Sequence, residues 1–357
     1  MSAAARHLEH LAARPRPTGS AAVADARRYC AEVLQAAGFG TAEAPFQFSG
    51  FPGRLGTPIG GAWLAIALTL AAHLAVTGHP MMAACSLVAA TALLGIVGGL
   101  LASRGVVSLG VMRETGVNLE ATRPGMAPHV WLVAHIDSKW QPIPMLARAA
   151  GITTLVLCAL AALALAIAGV SATGAWHWLT VVGWIGALPV LLSVVGARGP
   201  GALDNASGVA AVLAAASALP HVAPVGVLIT DAEELGLAGA RAWAARREPG
   251  IALNCDGVDD TGVLSVMYNG RRPESLTAAI RHGAGGACVR IMPMIPGVLA
   301  DNVAFTSAGW RSVTLSKGSL RTLQRIHTMS DDLAHLSGAG IDEVARVLAR
   351  AAQELCQ

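Results

Sequence analysis

The chain has 357 residues, 54% of them hydrophobic and 13% charged, with a net charge of +3 and a mean hydropathy of +0.55. Soluble domains average about 25% charged residues, so the composition argues against an ordinary cytosolic globule. The small net charge, with no run of Lys and Arg, argues against nucleic-acid binding.

The charges are unevenly spread. Segments 61–102 and 149–197 contain no Asp, Glu, Lys or Arg, so all 25 basic and 22 acidic residues fall in the remainder, which can bury a substantial core. Cys30, Cys85, Cys158, Cys255, Cys288 and Cys356 lack the paired spacing of a disulfide framework or a Cys-rich zinc module. The first twenty residues are polar, carry Arg6, Arg14 and Arg16, and do not read as a signal peptide.

In chain order, 22–37 reads as an amphipathic helix ended by Gly38 and Gly40. Segments 63–76 and 81–102 are apolar around a turn at 77–80, and 152–170 and 178–195 are apolar around a turn at 171–177. A membrane helix needs about 20 apolar residues. Three of the four segments meet that length, whereas 63–76 is short and contains His73. Charge-free pairs of this kind predict two transmembrane hairpins. Both turns lack Lys and Arg, while Arg54, Arg104, Arg148 and Arg198 flank the hairpins. The positive-inside rule then places the polar blocks on the cytoplasmic side of an integral membrane protein. The expected organisation is a discontinuous domain of 1–60, 103–148 and 198–357, with hairpins at 61–102 and 149–197.

Within the polar blocks, 116–121 and 129–134 read as strands, and the turn at 122–125 suggests that they pair antiparallel. Strands are also expected at 225–230, 251–255 and 312–315, and helices at 206–219, 235–247, 274–282 and 340–356. Alternating apolar strands and helices predict an α/β fold, a mostly parallel mixed sheet covered by helices.

Polar clusters follow these strands, where open α/β sheets place their sites. His135 precedes Asp137, whose carboxylate could accept from the second ring nitrogen. Asp204 and Asn205 open a helix, where capping is the ordinary role. Asp231, Glu233 and Glu234 follow strand 225–230, and adjacent buried carboxylates need a positive group or a shared proton nearby. Asn254, Cys255 and Asp256 follow the next strand, and His327 lies near the end. Each has an ordinary structural reading alone. Together, imidazoles and carboxylates converging on one sheet edge suit zinc, ahead of manganese or cobalt.

The sequence resembles metallopeptidase family 28, the di-zinc aminopeptidase-like family. The resemblance rests on His135-Ile136-Asp137-Ser138, Asp204-Asn205-Ala206-Ser207-Gly208, Glu233-Glu234-Leu235-Gly236, Asn254-Cys255-Asp256 and His327-Thr328, in that order. Arg14 to Ser20 and Asp301 with Phe305 extend it, and Ala232 stands where relatives usually have Gly. The resemblance implies two zinc ions per chain, one held by His135 and Asp256, the other by Glu234 and His327, with Asp204 bridging. It also implies Glu233 as general base, Asp137 as the residue orienting His135, and peptides with a free N-terminus as substrates.

One departure stands out. His135 and Asp204 are separated by a hairpin where relatives have a short loop. If strand 116–121 pairs as expected, both hairpins leave from the active-site end, so the mouth faces the bilayer and substrates are membrane-proximal. The alternatives are a catalytically silent membrane scaffold, a glutaminyl-cyclase-like acyl transferase with one zinc, and a transporter. Glu233 beside five ligands weighs against the first and the two-metal set against the second. The lack of charge in the apolar helices weighs against the third.

Overall fold

The computed structural model describes residues 2–295 and 297–357. The chain separates into two compact units. One comprises the N-terminal segment up to Phe48, Arg113–Trp140 and Gly196–Gln357, and the other Ser49–Met112 and Gln141–Val195.

The first unit is built on β1 (Gly40–Ser49), β2 (Arg113–Thr122), β3 (Val130–His135), β4 (Val225–Thr230), β5 (Ile251–Val258), β6 (Val263–Tyr268), β7 (Val289–Pro293) and β8 (Arg311–Gly318). They form one sheet in the order β1-β2-β4-β3-β5-β8-β6-β7. Strands β4, β3, β5 and β8 run parallel, β2 is antiparallel to β4, and β6 is antiparallel to β8. Every residue of β3 and β4 is buried, as continuous apolar runs should be when helices cover both faces. One face packs through Leu8, Leu34, Val212 and Leu348. The other carries an aromatic cluster of Trp131, Trp243, Phe305 and Trp310. The fold is thus mixed α/β, as expected.

The expected pairing of 116–121 with 129–134 is not formed. A turn closes at Arg123 and Met126, but β4 lies between β2 and β3. Both edges of β3 are taken by parallel partners, so the turn signal, which is only local, loses to the buried parallel core. The start of β2 nevertheless lies at the carboxyl edge of the parallel strands, because Leu119 pairs with Ile229 and Ala121 with Val227. The helix expected at 235–247 is confined to Ala238–Ala244, since the chain turns through left-handed conformations at Ala232 and Leu237. The φ of 57° at Ala232 explains physically why glycine suits this position.

The second unit contains four helices, Phe51–Val76, Pro80–Ser108, Met145–Ile167 and Thr173–Leu191, each long and apolar enough to cross a membrane. Between 11% and 33% of each helix's most apolar stretch is buried, leaving large side chains such as Ile66, Met81, Leu160, Ile185 and Leu188 exposed. The first helix starts at Phe51 rather than near 63, with Pro52 in its first turn, where a missing N–H costs nothing. Small residues allow close approach. A Cβ at Gly151 would lie 2.5 Å from the Gly186 carbonyl oxygen, and one at Gly61 would lie 2.7 Å from Val190.

In the first unit, the strand that ends at His135 and the loop that carries Asp204 are tied together. Trp140 and Gly196 exchange backbone hydrogen bonds of 3.0 and 2.7 Å. Arg16, 1% exposed, donates through Nε to Ile136 O at 2.9 Å and through Nη2 to Gly201 O at 2.9 Å. Its Nη1 reaches Pro200 O at 2.8 Å and also Leu11 O. The Ser138 hydroxyl accepts from Arg16 N at 2.9 Å and donates to Gly199 O at 3.2 Å. Arg16→Leu leaves several buried carbonyls without donors. It should destabilise the detergent-purified protein by on the order of 3 kcal/mol, read as a lower urea midpoint; an unchanged midpoint would contradict this role.

Candidate active site

The site lies at the carboxyl ends of β3, β4 and β5. His135 is the last residue of β3 and pairs in register with Thr230, the last of β4, so the Asp231–Glu234 turn begins beside the imidazole. Asp256 lies where the β5 register shifts between Cys255 and Val258. Asp204 lies in the loop before the helix Gly208–Ala218, and His327 follows the helix Leu320–Arg325 with a left-handed φ of 64°.

These residues meet around Asp204. His135 Nε2 is 3.0 Å from Asp204 Oδ1 and 3.5 Å from Asp256 Oδ1. His327 Nε2 is 2.7 Å from Asp204 Oδ2 and 3.4 Å from Glu234 Oε1. Two groups result, His135–Asp204–Asp256 and Asp204–Glu234–His327, each with its donor atoms within 4.8 Å of one another. His135 Nε2 and Glu234 Oε1 are buried without a partner in hydrogen-bond geometry. Orphaned nitrogen and oxygen atoms that converge in this way fit a cation, and the imidazole and carboxylate donors fit zinc.

The backbone fixes these side chains. His135 Nδ1 is 3.1 Å from Asp137 O; a carbonyl only accepts, so Nδ1 carries the hydrogen and Nε2 faces the carboxylates. The Asp137 carboxylate lies 3.5 Å from the same nitrogen, and its two oxygens accept from Glu233 N and Glu234 N at 3.1 Å each. Asp137 therefore borders His135 and also holds the Glu-Glu turn. Asn205 fills the capping role considered for this loop. Its Oδ1 accepts from Gly208 N at 2.9 Å and Gly257 N at 3.2 Å, and its Nδ2 donates to Cys255 O at 2.9 Å. Only glycine fits at 208, where a Cβ would lie 2.1 Å from Asn205 Oδ1.

Electrostatics separate the carboxyl groups. Burial, reinforced by Glu234, Asp256 and Asp301, pushes the Glu233 carboxyl well above its usual range, and His135 offsets only part of this. Burial also disfavours the Asp204 carboxylate, but the His135 and His327 imidazoles outweigh it and hold its pKa well below the usual range. Burial works against the His135 imidazolium, yet Glu233, Asp137, Asp204 and Asp256 together hold its pKa well above the usual value. Burial pushes Asp301, which accepts from Thr230 Oγ1 at 2.5 Å, up to about 7.

Asp204, Glu233, Glu234, Asp256, His135, His327 and Asp137 are thus brought to one place. Asn254 and Cys255 are not part of it, since Asn254 Nδ2 donates to Thr314 Oγ1 within the sheet and Cys255 is core. Two further residues carry no sequence signal. Lys139 Nζ forms an ion pair with Glu234 Oε2, and the Asp331 carboxylate accepts from Leu203 N at 2.5 Å and Asp204 N at 3.3 Å. Arg16, given no place in the site by its sequence context, braces the same loop.

The sequence model of peptidase family M28 matches residues 176–352. The match contains Asp204, Glu233, Glu234, Asp256 and His327, and it begins after His135 and Asp137. No curated protein is matched by the sequence. Among solved structures, an aminopeptidase from Aneurinibacillus sp. strain AM-1 is similar with TM-score 0.56 and 16% identity, over 98% of this chain and 92% of that one. BSAP, a zinc aminopeptidase from Bacillus subtilis, is similar with TM-score 0.56 and 15% identity over 98% and 93%. Bacteroides thetaiotaomicron glutaminyl cyclase bound to N-acetylhistamine is similar with TM-score 0.58 and 13% identity over 98% and 96%. At such identities the likeness is one of fold, shared by aminopeptidases and glutaminyl cyclases. The segment 176–352, just under half of the chain, thus matches peptidase family M28.

Proposed function

We propose that the protein is a membrane-bound, zinc-dependent exopeptidase of the aminopeptidase type. The observation that carries this reading is the position of Asp204, whose two carboxylate oxygens face separate imidazoles at 3.0 and 2.7 Å beside the buried Glu233. In this reading His135 and Asp256 would hold one zinc ion and Glu234 and His327 a second, with Asp204 belonging to both groups. Zinc bound there supplies Lewis acidity towards a water and a carbonyl oxygen. Glu233, whose buried carboxyl has a raised proton affinity, takes a proton from the attacking water and returns it to the leaving amine as the C–N bond breaks. Asp137 positions both His135 and the Glu-Glu turn. The same fold serves a cyclase, in which an N-terminal glutaminyl amine would attack its own side-chain amide and release ammonia. The second imidazole–carboxylate group favours hydrolysis over that reaction.

The four apolar helices support residence in a membrane, and the Arg residues flanking them support a cytoplasmic first unit. The protein should remain in the pellet after an alkaline carbonate wash. Cys288 is exposed on the first unit. As the sole cysteine in a variant, it should react with an impermeant maleimide only after cells are permeabilised; labelling of intact cells would reverse the orientation.

The catalytic reading is tested on detergent-purified protein by metal analysis and by hydrolysis of aminoacyl reporters and short peptides. About two zinc per chain are expected. Glu233→Gln should keep the metal and lose activity by roughly 10²- to 10⁴-fold, whereas His327→Ala should lose metal. Ammonia release from N-terminal glutaminyl peptides, without peptide hydrolysis, would favour the cyclase. Absence of both zinc and activity would favour a silent scaffold.

A further inference from the structure

The two imidazole–carboxylate groups are not equivalent. Among the described residues, no ammonium or guanidinium forms an ion pair with a member of His135–Asp204–Asp256. The group Asp204–Glu234–His327 has Lys139, which follows β3 and forms an ion pair with Glu234 Oε2. The Lys139 side chain is only 15% exposed and that of Glu234 only 4%, so this pair is poorly screened by water. The Glu234 carboxylate is therefore divided. Oε2 is held by the ammonium, while Oε1 lies 3.4 Å from His327 Nε2 and is buried without a hydrogen-bond partner.

We propose that Lys139 makes Asp204–Glu234–His327 the weaker of two unequal zinc sites, by occupying Glu234 Oε2 and placing a positive charge against the incoming cation. This rests on the reading of these residues as zinc ligands given above. Two physical effects act in the same direction. With Oε2 engaged, Glu234 can offer a metal only Oε1, so the site loses a possible bidentate ligand. A fixed ammonium next to a ligand also repels a divalent cation in a partly dehydrated site, where Coulomb terms exceed those in water. The buried Arg16 also lies near Asp204, but that residue is shared by both groups and the Arg16 donors go to backbone carbonyls, so it engages no carboxylate of either group and does not distinguish them. Zinc therefore binds in two steps, with the His135 group filled first.

The test uses the full chain in detergent, stripped of metal and titrated with zinc against a chromophoric chelator, so that affinity is read without activity. The wild type should show two classes of site. Lys139→Met should tighten the weaker class by roughly tenfold or more and leave the tighter class unchanged. Lys139→Gln should act in the same direction if the methionine variant fails to fold, and Lys139→Arg, which keeps the charge, should keep the weak class. His135→Asn should abolish the tighter class. Equal affinities in the wild type overturn the proposal, as does a weaker class unchanged or further weakened in both neutral variants. A wild type that binds no zinc overturns the ligand assignment itself, a result distinct from two classes that ignore Lys139.

Discussion

The constraint on which the first unit depends is the mutual repulsion of carboxyl groups brought together in a buried place. Asp137, Asp204, Glu233, Glu234, Asp256 and Asp301 meet at the carboxyl edge of the parallel strands, each of them buried or nearly so. Such a gathering is unfavourable unless cations, protons or donated hydrogen bonds offset it. The protein uses all three. His135, His327 and Lys139 supply the cations, Glu233 and Asp301 have raised proton affinities, and Asp137 takes two backbone N–H groups. Even so, His135 Nε2 and Glu234 Oε1 are left buried without hydrogen-bond partners at the centre of this gathering.

This balance explains why some of the site was legible in the sequence and some was not. His135, the Glu233–Glu234 pair and Asp256 lie at or just after strand ends, so the apolar runs before them located them, whereas Asp204 opens a helix and His327 follows one, and their motifs located them. Their supports have no such address. Lys139 reads as one charge in a connecting segment, and Asp331 as one acid in a C-terminal loop. Whether they point into the site depends on loop paths that a one-dimensional pattern does not carry. Arg16 is similar, since Arg residues are mostly exposed and three of its four carbonyl partners come from two distant segments, at Ile136 and at Pro200–Gly201.

The same distinction runs through the fold. The buried strands β3, β4 and β5 were legible because each opens on an apolar run, whereas β1, β6 and β7 lie at or near the sheet margins and were not expected. The neighbours of a strand are a non-local property, which is why the turn at 122–125 misled. The early start of the first apolar helix was hidden by Pro52, Gly53, Pro58 and Gly60. Proline in a first turn and glycine in a packed helix interface are compatible with a helix that tertiary contacts stabilise, although local propensity counts against it.

The separation of His135 from Asp204 along the chain is the last consequence of the charge constraint. A long excursion between two site residues adds little closure entropy for each added residue, because that term grows only logarithmically with length. What matters is that the two ends return to the same spacing each time the chain folds. The backbone pairing of Trp140 with Gly196 closes the excursion, and Arg16 then bonds Ile136 on one side and Pro200 and Gly201 on the other. A buried guanidinium suits that task, because its rigid fork of donors meets several carbonyls at once and its positive charge lies near Asp137, Asp204 and Asp331. The residue that fastens the neck of the insertion therefore also adds to the positive potential that the site requires. An apolar residue could pack there but could do neither, so the insertion is tolerated for electrostatic as well as geometric reasons.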